Sequence, residues 1–425
     1  LGVDLDGGCV GGGSEFISLR EVWKKYLLGG SLDQNNAAVK AYLEQLGSRT
    51  LNDWATLNKS SDTGRTKLWD DLDMSYISGV GDKAKEHSGN IAQTFYRLRD
   101  LTIAYATEGT ELYHNEELKT EIIRALDYMY QNHYNERDSV TPFFGNWWHW
   151  EIGAPVAFLS SALILYEDLT PQQIQNYTAA VNRFSPVCDE SSGYSGSPAM
   201  TGANLIDKGT AVALSGILSQ SSGKLEHVKT AFKTVFSYVT TGDGFYEDGS
   251  FIQHGALAFM GGYGKSLYEK LSIFFVVMKD SPWELTYEDH AEQLVFDMIF
   301  KGIEPFYHQG LFMDMVSGRD ITRKGSNDKI RGAELLTAIL PMSDAMPTAV
   351  MKNRFDSLAK SLILADEREL YENCTIITSV RKDSQIVNDS DIEPRGSYVF
   401  NKYFGGMDKY VYTTPSYSLG LSMHS

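Results

Sequence analysis

From about Glu15 to Asp366, apolar residues recur at three- and four-residue spacing in segments of roughly 12 to 20 residues, separated by loops rich in Gly, Ser and Asp. A period near 3.6 collects those side chains on one helical face, and a chain built this way must bury helix against helix. Phe16, Leu19, Val22, Trp23, Tyr26 and Leu27 form one stripe, and Ile91, Phe95, Leu98, Leu101, Ile103 and Ala104 form another. Leu118 to Tyr130 supplies a third through Ile122, Ile123, Leu126 and Met129. Further helices are predicted near Glu151 to Tyr166, Pro171 to Phe184, Asn204 to Leu218, Lys224 to Val239, His254 to Val277, Tyr287 to Ile299 and Pro347 to Leu364. Pro171 behind Thr170 reads as a first-turn proline after an N-cap. Successive helices with short connections imply antiparallel hairpins arranged as a solenoid or toroid. The chain shows no fixed-length repeat, which argues against a TPR or HEAT array.

After Glu372 the texture changes. Cys374 to Val380, Ser397 to Phe404, Lys409 to Thr413 and Tyr417 to Met423 are β-branched, alternating or apolar runs between Gly and Pro, and are predicted as strands. Three regions follow: a flexible leader or cloning remnant at 1–15, a helical domain at 16–372, and a linker with the first strands of a β domain at 373–425. So few strands cannot form a stable sheet alone. Either they pack on the helical part or the sequence is a piece of a longer protein.

Composition narrows the function. At 425 residues, 42% hydrophobic and 22% charged, the chain has material for one large core or two domains and does not read as disordered. Its apolar runs are short, Ile273 to Met278 ending at Lys279-Asp280, so no membrane insertion is expected. Cys9, Cys188 and Cys374 are few, odd in number and far apart, suggesting neither a zinc site nor a disulfide framework. A net charge of −17 argues against nucleic acid. It also opposes any polyanion at long range, so such a substrate must be received by a locally basic site.

Four segments carry candidate chemistry. Asn146-Trp147-Trp148-His149-Trp150-Glu151 crowds aromatics at a loop-to-helix junction, either as a platform for sugar rings or as a core plug. Thr201-Gly202-Ala203-Asn204 enters a helix, where Asn204 is an N-cap or a substrate contact. Asp243 to His254, continuing to Gly261-Gly262-Tyr263-Gly264, is a Gly-rich stretch beside acids and aromatics. With His254 opening a helix, Tyr263 lies about two and a half turns on, and only a break near Gly261-Gly262 brings the two together. Met313 to Arg323 places Arg319 and Arg323 four apart, parallel guanidinium groups in helical geometry, or surface partners of Asp320 or Asp314. Gly264-Lys265-Ser266 resembles the end of a phosphate-binding loop, but Phe259 stands where that motif needs Gly. The His-Glu-x-x-His pattern is missing and Asp243 to Asp248 lacks EF-hand spacing, so no metal is expected.

Taken in order, these four motifs and Gly-Met-Asp-Lys at 406–409 resemble polysaccharide lyase family 8, which contains hyaluronate lyases, AC-type chondroitin lyases and xanthan lyases. The resemblance implies a mainly α fold, an incomplete (α/α) toroid of helical hairpins followed by the beginning of an antiparallel β-sandwich domain. It implies β-elimination on an acidic polysaccharide without a cofactor. By motif matching, Tyr263 takes the place of the catalytic tyrosine, His254 and Asn204 those of the carboxylate-binding pair, and Arg319 and Arg323 those of the site arginines. Asn146, Trp147 and Trp148 match the patch that positions the sugar chain. The family's assisting Glu belongs to a segment beyond Gly420 to Ser425, and Lys324-Gly325 stands where xanthan lyases tend to carry Tyr. His149-Trp150 leans the other way, toward xanthan.

The residues agree with that chemistry. Hydrogen bonds from an amide and an imidazole can spread the charge that develops on a uronate when its neighbouring proton leaves. A phenol, with a reference pKa of about 10, needs a cationic neighbour such as Arg319 to act as base near neutrality. We expect a secreted monomer acting on hyaluronan or chondroitin, with xanthan as alternative. The rivals from other classes are a glycoside hydrolase using Glu151 and Asp248, and a glycan-binding scaffold without catalysis.

Overall fold

The computed structural model describes residues 13–61, 63–193, 199–365 and 376–423. They form two compact units, one reaching to Met200 and including Asp207–Val228, the other combining Thr201–Ile206 with the chain from Lys229 onward. Cys9, Cys374 and the leader up to residue 12 lie outside the described residues.

In the first unit the predicted stripes become buried faces. Helix α1 (Gly13–Leu28) buries Phe16, Leu19, Trp23 and Tyr26, so the expected leader is already helical at Ser14 and Glu15. Helix α2 (Ala37–Thr56) starts at Asn36, whose side chain accepts from the Ala38 and Val39 N–H groups. Helix α3 (Asp82–Ala106) is the centre of the unit, packing on α2, on α4 (Glu116–Asn132) and on α5 (Ala154–Ile164). Phe95 of α3 stacks on Phe158 of α5 with ring centroids 4.7 Å apart. Each such buried aromatic contributes about 1.5–3 kcal/mol relative to exposure. Helix α6 (Pro171–Phe184) starts as read from the sequence, with Pro171 in its first turn behind the N-cap Thr170, and the structure adds a capping box between Thr170 and Gln173. Helices α7 (Gly202–Ser219) and α8 (Ser222–Phe232) follow, α8 ending in a 3-10 turn at Lys233–Val235 short of the predicted Val239.

The second unit departs more from the expected pattern. Strands β1 (Gly244–Phe245), β2 (Phe251–Gln253) and β3 (Leu257–Ala258) form a small antiparallel sheet, and β3 takes the place of the first turn of the helix expected from His254. A π-turn at Met260–Gly264 then leads into α9 (Lys265–Val277). Leu257 and Ala258 pair with Gln253 and Ile252 of β2, and this pairing displaces the helix start to Lys265. Helix α10 (Gln293–Met298) is shorter than predicted and runs into a second π-turn, Ile299–Ile303. Strands β4 (Tyr307–His308) and β5 (Leu311–Phe312) form a hairpin, and α11 (Asp328–Ile339) packs on β5 and α9. Helix α12 (Ala349–Ala365) packs on α13 (Ile377–Asn388).

Helix α13 corrects the strand expected at Cys374 to Val380. Ile377, Val380 and Ile386 are buried, and packing on α11 and α12 outweighs the β-branched preference. Helices thus continue to Asn388, and the expected C-terminal strands begin with β6 (Phe400–Phe404), β7 (Lys409–Thr413) and β8 (Ser418–Ser422), paired antiparallel in that order. Phe404 packs on Phe306 at 4.8 Å, and Asp248 accepts from the Gly406 N–H at 2.9 Å, so the sheet is tied to the helical body of its own unit. Among the described residues no helix is long and apolar enough to cross a membrane.

Candidate active site

Three of the predicted residues, His254, Tyr263 and Arg319, converge within the second unit, and the devices that gather them are local. His254 sits at the turn between β2 and β3 with φ 55°, followed by Gly255 at φ 79°. That left-handed pair reverses the chain over three residues, which a helix start cannot do. Asp243 braces the turn, its carboxylate accepting from the Gly255 N–H at 2.6 Å and from the Gln253 amide at 3.2 Å. The chain returns through Phe259 and the π-turn to present Tyr263 beside His254, ring centroids 4.8 Å apart and nearly perpendicular. A break at Gly261-Gly262 is what the sequence required for this meeting, and the extra residue of a π-turn supplies it. Gly262 is obligatory, because a Cβ there would stand 2.5 Å from both the Phe259 ring and the Asp320 carboxylate.

Arg319 arrives on a 3-10 turn, Gly318–Thr322. Its Nη2 lies 3.2 Å from His254 Nε2 and donates to Tyr263 Oη at 3.3 Å. A guanidinium has only donors, so Nε2 must be the bare nitrogen and Nδ1 carries the proton. The electrostatics agree. Partial burial and the Arg319 charge lower the His254 pKa below its ordinary value, against a smaller opposing pull from Asp243, and the ring is neutral.

Arg323 does not join Arg319. Four residues bring two side chains onto one face in an α-helix, but a 3-10 turn has three residues per turn and Arg323 lies past its end. Its side chain is 69% exposed and pairs with Asp320 at 2.8 Å, the surface partner named as the alternative reading. Asn204 is not the N-cap either. It lies inside the first turn of α7, whose first carbonyl acceptor is Thr201. Gly202 rests directly on the Gln253 side chain, where a Cβ would collide with Oε1, so this turn abuts the residue preceding His254. Half-buried Asn204 makes no side-chain hydrogen bond among the described residues, leaving both ends of its amide open.

The aromatic segment belongs to the first unit. Asn146 accepts from the Trp148 N–H at 3.1 Å and starts a helical turn that passes into a π-turn, His149–Gly153. Trp147 and Trp148 are half-buried, whereas Trp150 is 1% exposed, its indole donating to the Phe144 carbonyl. One of the three tryptophans is therefore the core plug and two keep open surface. Glu151 is wholly buried and paired with the equally buried Lys208 at 2.8 Å, and burial raises its pKa. Asp248 is occupied by the N–H groups of Ser250 and Gly406. Neither carboxylate is placed as a hydrolase acid or base.

Sequence reasoning missed Phe259 and Arg331. Phe259 is wholly buried, its ring edge-on to Tyr263 at 4.8 Å and 6.1 Å from His254. Its apolar neighbours made it look like one more core residue. Arg331 is buried behind both turns, but three residues after Asp328 it reads as an ordinary surface ion pair.

Residues 23–361 match polysaccharide lyase family 8, N terminal alpha-helical domain. The chain belongs to polysaccharide lyase family 8. It is 30% identical to the xanthan lyase of Bacillus sp. (strain GL1) over 97% of this chain and 42% of that protein. It is 31% identical to the hyaluronate lyase of Thermasporomyces composti over 97% of this chain and 50% of that protein. Among solved structures, the Streptomyces coelicolor A3 chondroitin AC lyase in complex with chondroitin sulphate is similar at TM-score 0.86 and 28% identity, over 97% of this chain and 54% of that one. The chain thus spans about half the length of these curated family 8 relatives. The mainly helical class with antiparallel strands at its end is the one that the family 8 resemblance implied.

Proposed function

We propose that this chain carries the proton-transfer machinery of a lyase that cleaves uronic-acid-containing polysaccharide by β-elimination. The observation that carries the reading is the single Arg319 nitrogen shared by Tyr263 Oη and His254 Nε2. A phenolate formed at Tyr263 is matched by the guanidinium, and a neutral imidazole with an open half-buried amide is matched to a carboxylate. In the reaction the Tyr263 oxygen takes the proton at C5 of the uronate. The C5–H electron pair moves toward the carboxylate, where hydrogen bonds from Asn204 and His254 spread the charge. That pair then forms the C4–C5 double bond as the C4–O bond breaks, and the phenol returns its proton to the departing oxygen. Arg323 contributes positive charge at the rim, and Asn146, Trp147 and Trp148 hold sugar faces.

Hyaluronan or chondroitin is the preferred substrate class and xanthan the alternative. Gly325 lacks the ring that a terminal mannose would meet, and relatives named for all three substrates match the chain at comparable identity. The enzyme acts as a secreted monomer, since a polysaccharide of this size is met outside the cell.

Incubation with hyaluronan, chondroitin, heparin and xanthan, followed by near-ultraviolet absorbance of the new double bond, tests the reading. One glycosaminoglycan is expected to respond, and Tyr263→Phe to lower kcat roughly 10³-fold with little change in binding. Silence on every substrate, or full turnover by Tyr263→Phe, refutes it.

A further inference from the structure

The turn that presents Tyr263 and the turn that presents Arg319 are both held by a side chain of α11. Arg331 is 4% exposed. Its Nη1 donates to the Gly261 carbonyl at 2.7 Å and its Nη2 to the Asp320 carbonyl at 3.2 Å, and Nη2 also donates to the Ser326 hydroxyl. Gly261 precedes Tyr263 by two residues, and Asp320 directly follows Arg319.

Burying a guanidinium among carbonyls and a hydroxyl costs desolvation energy, so the placement calls for a structural return. That return is geometric. The planar fork sets two separate nitrogens on acceptors of different segments at a fixed angle, a geometry that the single nitrogen of an ammonium does not reproduce. Arg319 is exposed and depends on the backbone of its turn for position. Its contacts of 3.2 and 3.3 Å are already near the limit of a hydrogen bond, and a shift of about 1 Å at either turn abolishes them.

We propose that Arg331 is a positioning residue, a buried clamp that fixes the Tyr263 turn against the Arg319 turn so that phenol, imidazole and guanidinium meet. The inference rests on the lyase reading above for its catalytic consequence, though not for its geometry. Arg331 touches no substrate and acts only through the two turns it joins.

Arg331→Met and Arg331→Lys, prepared beside Tyr263→Phe, test it by two readouts. On the responding polysaccharide, kcat is expected to fall roughly 100-fold in Arg331→Met and at least about tenfold in Arg331→Lys, with KM within about threefold of the parent. Independently of turnover, imidazole NMR of isotope-labelled protein should show the His254 titration midpoint rising in both variants as Arg319 withdraws. If Arg331→Met does not fold, Arg331→Lys carries both measurements. Folded variants with parental kcat and an unmoved His254 midpoint overturn the clamp. Should those variants be unaffected while Tyr263→Phe is inactive, only the clamp fails. Should Tyr263→Phe stay active while the His254 midpoint moves, only the lyase reading fails.

Discussion

His254 adopts a backbone conformation that suits glycine better than histidine. At φ 55° its Cβ crowds the following carbonyl, a cost of roughly 1–2 kcal/mol that the Asp243 brace and the β2–β3 pairing sustain. Such strain persists where the side chain does something the fold does not need. His254→Gly should therefore leave the denaturation midpoint unchanged or raise stability by up to about 1 kcal/mol, while turnover is lost. A loss of more than about 1 kcal/mol in chemical denaturation would make the imidazole a structural contact instead. At this scale the sequence showed which groups were chemically apt, since amides, imidazole, phenol and guanidinium stood in Gly-rich segments. It could not show which would be spent elsewhere. Arg323 and Arg319 have the same chemistry, and only the three-residue pitch of their turn separates one into a surface pair with Asp320. Phe259 and Arg331 gave no signal because a wedge or a clamp is defined by contacts remote in sequence.

Elements with one apolar face and good punctuation were legible, and those settled by tertiary pairing were not. The Pro171–Phe184 helix and the Lys409–Thr413 strand were read correctly, one from a proline behind a capping threonine and the other from alternation between turns. The start of the helix expected from His254 was misplaced because Leu257 and Ala258 pair as a strand with Gln253 and Ile252, and a π-turn follows before the helix begins at Lys265. Helix α13 was misread in the opposite sense, and it bears an instructive group. Asp383 is buried on that helix, its Oδ2 has no hydrogen-bond partner among the described residues, and burial raises its pKa to about 6. An unfolded chain releases this proton near pH 4, whereas the folded one holds it to about pH 6. Across that window the unfolded state binds fewer protons, so stability falls as pH rises and levels off above it. Asp383→Asn should then stabilise the protein by about 2 to 3 kcal/mol at pH 7.5 and by almost nothing at pH 3.5. Denaturant melts at both values check this, and an equal gain at both would mean that the carboxylate's charge is not the cause.

At the scale of the whole molecule, charge and proposed substrate are in tension. The chain carries a net charge of −17, yet the groups proposed to receive a uronate are the Asn204 amide and a neutral imidazole, with the cations Arg319 and Arg323 close by. The two act over different distances. Repulsion between the acidic surface and a long polyanion extends for a Debye length, about 30 Å in 0.01 M salt and about 10 Å in 0.1 M. A guanidinium in contact with a carboxylate acts over about 3 Å, where salt screens far less. Raising salt from 0.01 to 0.1 M should therefore remove the barrier to encounter before it weakens the contact, and kcat/KM on a long polysaccharide should rise severalfold with kcat nearly constant. The sign is opposite to that of a basic protein on a polyanion, where counterion release makes binding fall steadily with salt. An oligosaccharide bearing one uronate presents little distant charge, and its kcat/KM should respond weakly over the same range. A steady fall with salt on the long substrate, equal to that on the short one, would place the controlling charge in a basic surface and not in the net charge of the chain.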